Sequence, residues 1–147
     1  TLVIPEFNDS DEELENIAKF LADISCDIPW HVTAFHPSYK MTDTGRTPAE
    51  TLNRAWQIGK AAGLNYVYPG NVPGQAGDCE NTRCPACDEV LILRNGFYVV
   101  ENRMAGNACP RCGEEIAGVW EAHPPRESVG TGTPRSLFPQ APGFESP

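Results

Sequence analysis

Residues 84–112 read CPACDEVLILRNGFYVVENRMAGNACPRC. Two Cys-x-x-Cys pairs, Cys84 with Cys87 and Cys109 with Cys112, bracket two apolar runs. Each pair predicts a tight turn that aims two thiolates and several backbone N–H groups at one point. Two such turns facing each other make a tetrahedral four-sulfur site. Between them, residues 90–93 and 97–100 are apolar and flank Asn95-Gly96, a strong two-residue hairpin signal. A hairpin held between two cysteine turns is a zinc ribbon of the rubredoxin-like kind, expected over residues 76–120. Gly113 follows the second pair, where a positive φ is wanted. Asp88 takes that place after the first. Zinc is the default metal for four thiolates without a redox demand, and iron uses the same ligands. Four thiolates fill the coordination sphere, so the centre is expected to be structural. Cys26 is read as a structural thiol near a helix end, and Cys79 as a bystander of the first turn.

Working outward, residues 1–75 alternate strand and helix signals. Residues 1–5 are β-branched and apolar, a short buried strand. Ser10 and Glu13 fit a capping box. Leu14, Ile17, Ala18, Leu21 and Ile24 then follow at helical spacing. Residues 29–36 read as a second strand. Thr47, Pro48 and Glu50 predict a second helix start, with Thr47 as N-cap and Pro48 at the first helical position. Leu52, Ala55, Trp56 and Gly59 supply its buried face, and Gly63 suits the left-handed position past its end. Residues 65–68 are a third strand, stopped by Pro69-Gly70. This β-α-β-α-β order implies an α/β fold of parallel strands with crossover helices. Three strands leave both sheet edges unpaired, so further strands are expected upstream of Thr1.

Composition excludes several classes. The 147 residues carry 11 Lys+Arg against 20 Asp+Glu, a net charge of −9. Nucleic acid rewards a basic face through counterion release, so no nucleic-acid partner is expected. No apolar run approaches the ~18 residues of a membrane span, and residues 1–5 lack the layout of a signal peptide. Paired Cys-x-x-Cys turns suit a reducing, cytoplasmic setting better than a disulfide framework. Residues 121–147 contain Pro124, Pro125, Pro134, Pro139, Pro142 and Pro147 with little aliphatic content, and read as a disordered tail. Leu137, Phe138 and Phe144 are its only docking-like residues.

In parallel α/β folds, ligands bind at the carboxyl ends of the strands. Residues 5–9, 36–46 and 70–74 occupy those ends. His36 closes its strand and is the leading binding candidate, whereas His31 begins the same strand and reads as structural. Tyr39, Lys40 and Met41 lie at the same end as His36. Asn8 and Asp9 also suit capping of the first helix.

Four stretches together resemble one family: TLVIPEFNDS (1–10), IPWHVTAFHPSYKM (28–41), YVYPGNVPG (66–74) and ENTRCPAC (80–87). They are similar to the radical S-adenosylmethionine enzyme of the AmmeMemoRadiSam system, which is related to pyruvate formate-lyase activating enzyme. The likeness runs from residue 1 to about residue 120. It implies a partial (β/α)6 barrel, of which residues 1–75 are the last units. It also implies a [4Fe–4S] cluster on a Cys-x3-Cys-x2-Cys motif. That cluster chelates S-adenosylmethionine and cleaves it reductively to a 5′-deoxyadenosyl radical, which abstracts hydrogen from a substrate. In this match Ile4, Pro5, Asn8 and Asp9 border the S-adenosylmethionine site. His36 contacts the same cofactor, and Gly70 and Asn71 close its adenine side. Two companion proteins of the system are implied as partners.

The sequence departs from the family twice. Glu6 stands where relatives carry Gly, and no two cysteines here are four positions apart, so the cluster motif is absent. The chain is therefore expected to be the C-terminal part of a longer enzyme, inactive by itself, with the front half of the barrel as its missing partner. A protein-docking zinc ribbon and a rubredoxin-like electron carrier are the alternatives.

Overall fold

The structure, a computed structural model, describes residues 1–120. The tail and its Leu137, Phe138 and Phe144 lie outside the described residues. Among the described residues the chain is a small α/β protein with two helices and two small sheets. The element order is β1 (Leu2–Val3), α1 (Asp11–Ile24), β2 (Trp30–Ala34), α2 (Ala49–Ala61), β3 (Val67–Gly70), a 3-10 turn (Gly77–Glu80), β4 (Thr82–Arg83), β5 (Val90–Asn95) and β6 (Tyr98–Asn102).

The first sheet has the order β1-β2-β3 with both pairs parallel, Leu2 opposite Thr33 and Trp30 opposite Val67. Parallel neighbours need a crossover, and α1 and α2 provide the two. Both helices pack on one face of the sheet. There Val3, Val32 and Ala34 meet Leu14, Ala18 and Leu52 in a fully buried cluster. Gly59 lets α2 approach closely: a Cβ there would lie 2.8 Å from Val67 and 2.9 Å from the Trp30 ring. The opposite face carries Leu2, His31, Thr33, Tyr68 and Gly70, and among the described residues no helix lies over it.

Helix α1 starts where expected, with the Ser10 half of the capping box and, among the described residues, no bond from the Glu13 side chain back to the Ser10 N–H. Ser10 caps it, its hydroxyl accepting from the Glu13 N–H at 3.3 Å, and Asp11, Glu12 and Glu13 complement the positive helix end. The apolar face is narrower than its periodicity suggests: Leu14 and Ala18 are buried, whereas Ile24 is 62% exposed.

Helix α2 corrects an expectation. Thr47 does not cap it; the helix begins at Ala49 without a side-chain cap. Thr47 is instead fully buried, its hydroxyl accepting from the Phe35 N–H at 2.9 Å and donating to the Val3 carbonyl at 2.6 Å. Strands β1 and β2 end just there, and buried backbone groups demand partners. The hydroxyl extends the sheet by one polar rung. Strand limits also shift. Strand β1 covers only Leu2–Val3 instead of residues 1–5, and of the two only Val3 is buried. Strand β2 stops at Ala34, so His36 lies past it. Strand β3 includes Pro69 and Gly70 instead of stopping before them. Pro69 is tolerated because β3 is an edge strand.

The second sheet is antiparallel, order β4-β5-β6. The hairpin turn is one residue later than expected. Asn95 pairs with Tyr98, so Gly96 and Phe97 form the turn. Gly96 has φ 57°, and Phe97 is not in the left-handed region. This is the pattern of a turn with glycine at its first central position. The tip rests on Pro73, whose Cβ would lie 3.2 Å from a Cβ at Gly96.

Candidate metal centre

The two cysteine turns are built alike. In the first, the Cys84 N–H donates to the Glu89 carbonyl at 2.9 Å and the Asp88 N–H to the Cys84 carbonyl at 3.0 Å. In the second, the Cys109 N–H donates to Glu114 at 2.8 Å and the Gly113 N–H to Cys109 at 2.9 Å. Asp88 and Gly113 hold equivalent left-handed conformations, φ 60° and 79°. The first cysteine of each pair is buried; Cys87 is half-buried and Cys112 exposed.

The four sulfurs lie within 4.8 Å of one another. Cys84 and Cys112 are 3.6 Å apart, and Cys87 and Cys109 3.7 Å apart. A tetrahedron with metal–sulfur bonds of about 2.3 Å has edges of roughly 3.8 Å. The thiols are thus positioned to bind one metal ion, and their chemistry suits zinc or iron. Without the ion they share protons unequally. Burial works to raise the Cys109 thiol, but the N–H groups of Cys112 and Arg111 and two neighbouring sulfurs outweigh it and bring it down to about 7. At Cys87 the Glu89 N–H favours the thiolate, yet burial and three adjacent sulfurs prevail and push it up to about 12. Metal binding must displace these protons, so affinity falls as pH falls.

The ribbon is joined to the α/β layer by specific contacts. Tyr66, just before β3, packs into the ribbon cluster of Cys84, Leu91, Ile92, Cys109 and Ile116. The Tyr68 hydroxyl meets the Thr82 hydroxyl at 3.0 Å. Glu80 is 5% exposed, and its carboxylate accepts from the Gly74 N–H at 3.1 Å and the Gly96 N–H at 2.6 Å. A buried carboxylate needs such donors, and here they tie the loop after β3 to the hairpin tip.

The residues proposed from the resemblance fall into two groups at the carboxyl ends of the first sheet. Beside β1, the Asn8 amide accepts from the Ile4 N–H at 2.7 Å and donates to the Leu2 carbonyl at 3.0 Å. The Asp9 carboxylate accepts from the Glu6 N–H at 2.8 Å, and Pro5 sits in the same turn. Neither Asn8 nor Asp9 caps α1; both brace the loop. Beside β2 and β3, the His36 ring meets the Asn71 carbonyl at 3.2 Å, and the Asn71 amide donates to Ala34 at 3.0 Å. Gly70 adjoins Thr33. Among the described residues no hydrogen bond joins the two groups. Glu6 has φ 63°, a conformation that favours glycine, and its side chain is exposed. Cys26 follows α1 and is exposed, whereas Cys79 lies in the 3-10 turn and packs against the α/β core.

A cleft between the modules escaped the sequence reading. Tyr66, Arg94, Phe97 and Trp120 line it with the open sheet face. It forms by docking of segments far apart in the chain, so no local pattern marks it. The nearest signal is Arg94, a cation closing the apolar run of residues 90–93.

No family model matches the chain, and no solved structure matches it. The chain is similar to an uncharacterized protein, MJ0808, of Methanocaldococcus jannaschii, with 42% identity over 118 residues. That match takes in 78% of this chain and 35% of the archaeal protein, so the chain spans about a third of its relative's length. Among the described residues no helix is long and apolar enough to cross a membrane.

Proposed function

We propose that this chain is the C-terminal part of a radical S-adenosylmethionine enzyme, with the ribbon as a structural, metal-held buttress. The carrying observation is the sheet. A parallel sheet is ordinarily covered on both faces, yet among the described residues the face opposite the helices bears His31, Thr33, Tyr68 and Gly70 and is covered only in part, where Tyr68 meets the ribbon. Small and polar residues on a partly open face suit the lumen of a barrel completed by further strands. The three loops at the carboxyl ends are pre-ordered by Asn8, Asp9, Thr47 and Asn71, as a cofactor edge requires. The positive φ at Glu6 supports the likeness as well, since the backbone keeps a turn that glycine would fill.

In this reading Ile4, Pro5, Asn8 and Asp9 border S-adenosylmethionine on one side, and His36, Gly70 and Asn71 on the other. When bound elsewhere in the whole protein, the [4Fe–4S] cluster supplies the electron for reductive cleavage. This chain's residues orient the cofactor and exclude water. The cluster cysteines and the remaining strands belong to the longer polypeptide, in keeping with the share of MJ0808 that the chain covers. The companion proteins of the system are its partners.

The test is anaerobic reconstitution of the full-length gene product with iron and sulfide, then reduction with dithionite and S-adenosylmethionine. Release of 5′-deoxyadenosine is expected, and His36→Ala should slow it. A full-length product without Cys-x3-Cys-x2-Cys, or one that releases no 5′-deoxyadenosine, contradicts the reading.

A second reading, the ribbon as a protein-docking module, is favoured by β6. Every residue of this edge strand is exposed, and Phe97 beside it is 98% exposed. An unpaired edge with apolar side chains is a template for strand addition.

A further inference from the structure

The cleft between the open sheet face and the ribbon measures about 580 Å³, within the range of small-molecule sites. Its floor is the sheet residues His31 and Tyr68, whose ring centres lie 5.2 Å apart with the planes tilted by 33°. The hairpin contributes Arg94 and Phe97, and the arm after the second cysteine turn contributes Trp120. Trp120 is fixed there because its indole N–H donates to the Ile116 carbonyl at 2.8 Å. The rings of His31, Tyr66, Tyr68, Phe97 and Trp120 are thus set among prolines, glycines and aliphatic side chains.

The polar groups of the cleft are unequally occupied. Its acids are satisfied: Glu80 holds two backbone N–H groups, and Asp27 accepts from the Asn65 amide at 2.8 Å. Its cation is not. Among the described residues the half-buried Arg94 guanidinium makes no ion pair and no hydrogen bond. Tyr66 is 6% exposed, and its hydroxyl is buried without a hydrogen-bond partner; the Ala117 N–H lies near without closing a bond. Burial raises the pKa of this phenol, as it does that of Tyr68, so both stay neutral donors at pH 7. A half-buried guanidinium without a partner among the described residues calls for an acceptor with negative charge.

We propose that this cleft binds an organic anion with a flat apolar body, its carboxylate or phosphate taken by Arg94, its body lying against Tyr68, Phe97 and Trp120. Aromatic walls reward a planar group, and the guanidinium fork suits either anion. This site stands whether or not the longer protein performs radical chemistry, although Gly70 and Asn71 line one end of it.

The test uses the zinc-loaded full chain and three probes of one shape: 2-naphthoate, 2-naphthalenemethanol and 2-naphthylmethylammonium. Binding is followed by amide and indole NMR shifts. Saturable shifts at the Trp120 indole and Gly96 are expected with naphthoate, which should bind about tenfold more tightly than the alcohol, as a charged hydrogen bond warrants. Arg94→Met should abolish that preference and leave the alcohol's affinity within about twofold, because the apolar stem remains. If Arg94→Met misfolds, Arg94→Gln carries the same comparison. Equal affinity for the three probes, a preference that survives loss of the guanidinium, shifts confined to other surfaces, or no binding each overturns the proposal. None of these results bears on 5′-deoxyadenosine release, so the two readings fail separately.

Discussion

The α/β layer and the ribbon stand side by side but are held by different means. In the layer, Val3, Leu14, Val32, Leu52 and Leu64 are all at 1% exposure or less, drawn from five separate elements and loops. In the ribbon the buried set is Tyr66, Leu91, Ile92 and Ile116 with Cys84 and Cys109, and β6 buries nothing. Area removed from water explains the first module. It is too small to explain the second, which needs its four thiolates closed on a metal. Even Tyr66 is borrowed from the α/β side. Burial secures one half, and the four cysteines positioned to bind a metal ion are expected to secure the other.

Four substitutions break or sharpen that contrast. Cys84→Ser should have the largest effect. Structural zinc is worth on the order of 10 kcal/mol in ribbon-sized sites, so the variant should lose its metal and amide protection across β4, β5 and β6. Hydrogen exchange and metal analysis check this, and retained stoichiometry with unchanged exchange would count against the site. Leu52→Ala is the matching wound in the other half. It should cost about 2–5 kcal/mol by transfer and cavity terms, read by denaturant unfolding, with metal content unchanged. Thr47→Val should cost about 0.5–1.5 kcal/mol, because the Val3 carbonyl and the Phe35 N–H each lose one partner and keep only each other at 3.3 Å. A change under about 0.5 kcal/mol would show that this direct bond suffices. The smallest effect compares the two cysteine turns directly. Asp88→Gly relieves a left-handed conformation that costs roughly 1 kcal/mol or more and gives up the exposed pair with Arg83 at 3.2 Å, worth little. Net stabilisation of up to about 1 kcal/mol should appear as a higher melting temperature, while Gly113→Ala should lower it.

Much of this architecture is legible in the sequence because it rests on local chemistry. The metal site follows from the spacing of Cys84, Cys87, Cys109 and Cys112 alone. Ser10 and the left-handed Gly63, Asp88 and Gly113 follow from capping and turn rules. The failures share a cause. Thr47 looks like a helix cap, yet strands from elsewhere in the chain claim its hydroxyl, so tertiary demand overrides a local motif. Asn95-Gly96 has the right composition for a turn, but pairing of Asn95 with Tyr98 and the rest of the tip on Pro73 shift it by one residue. The aromatic cleft has no local signature, because Tyr66, Arg94 and Trp120 meet only when the two modules dock.

The dependence of the ribbon on a metal is tested most directly by metal analysis of the purified chain with hydrogen exchange before and after chelation. One tetrahedrally bound ion per chain is predicted. Its removal should cost protection at Thr82, Ile92 and Ile116 well before Val32 and Leu52. A chain that holds no metal, or whose ribbon exchanges at the same rate with and without it, contradicts the account.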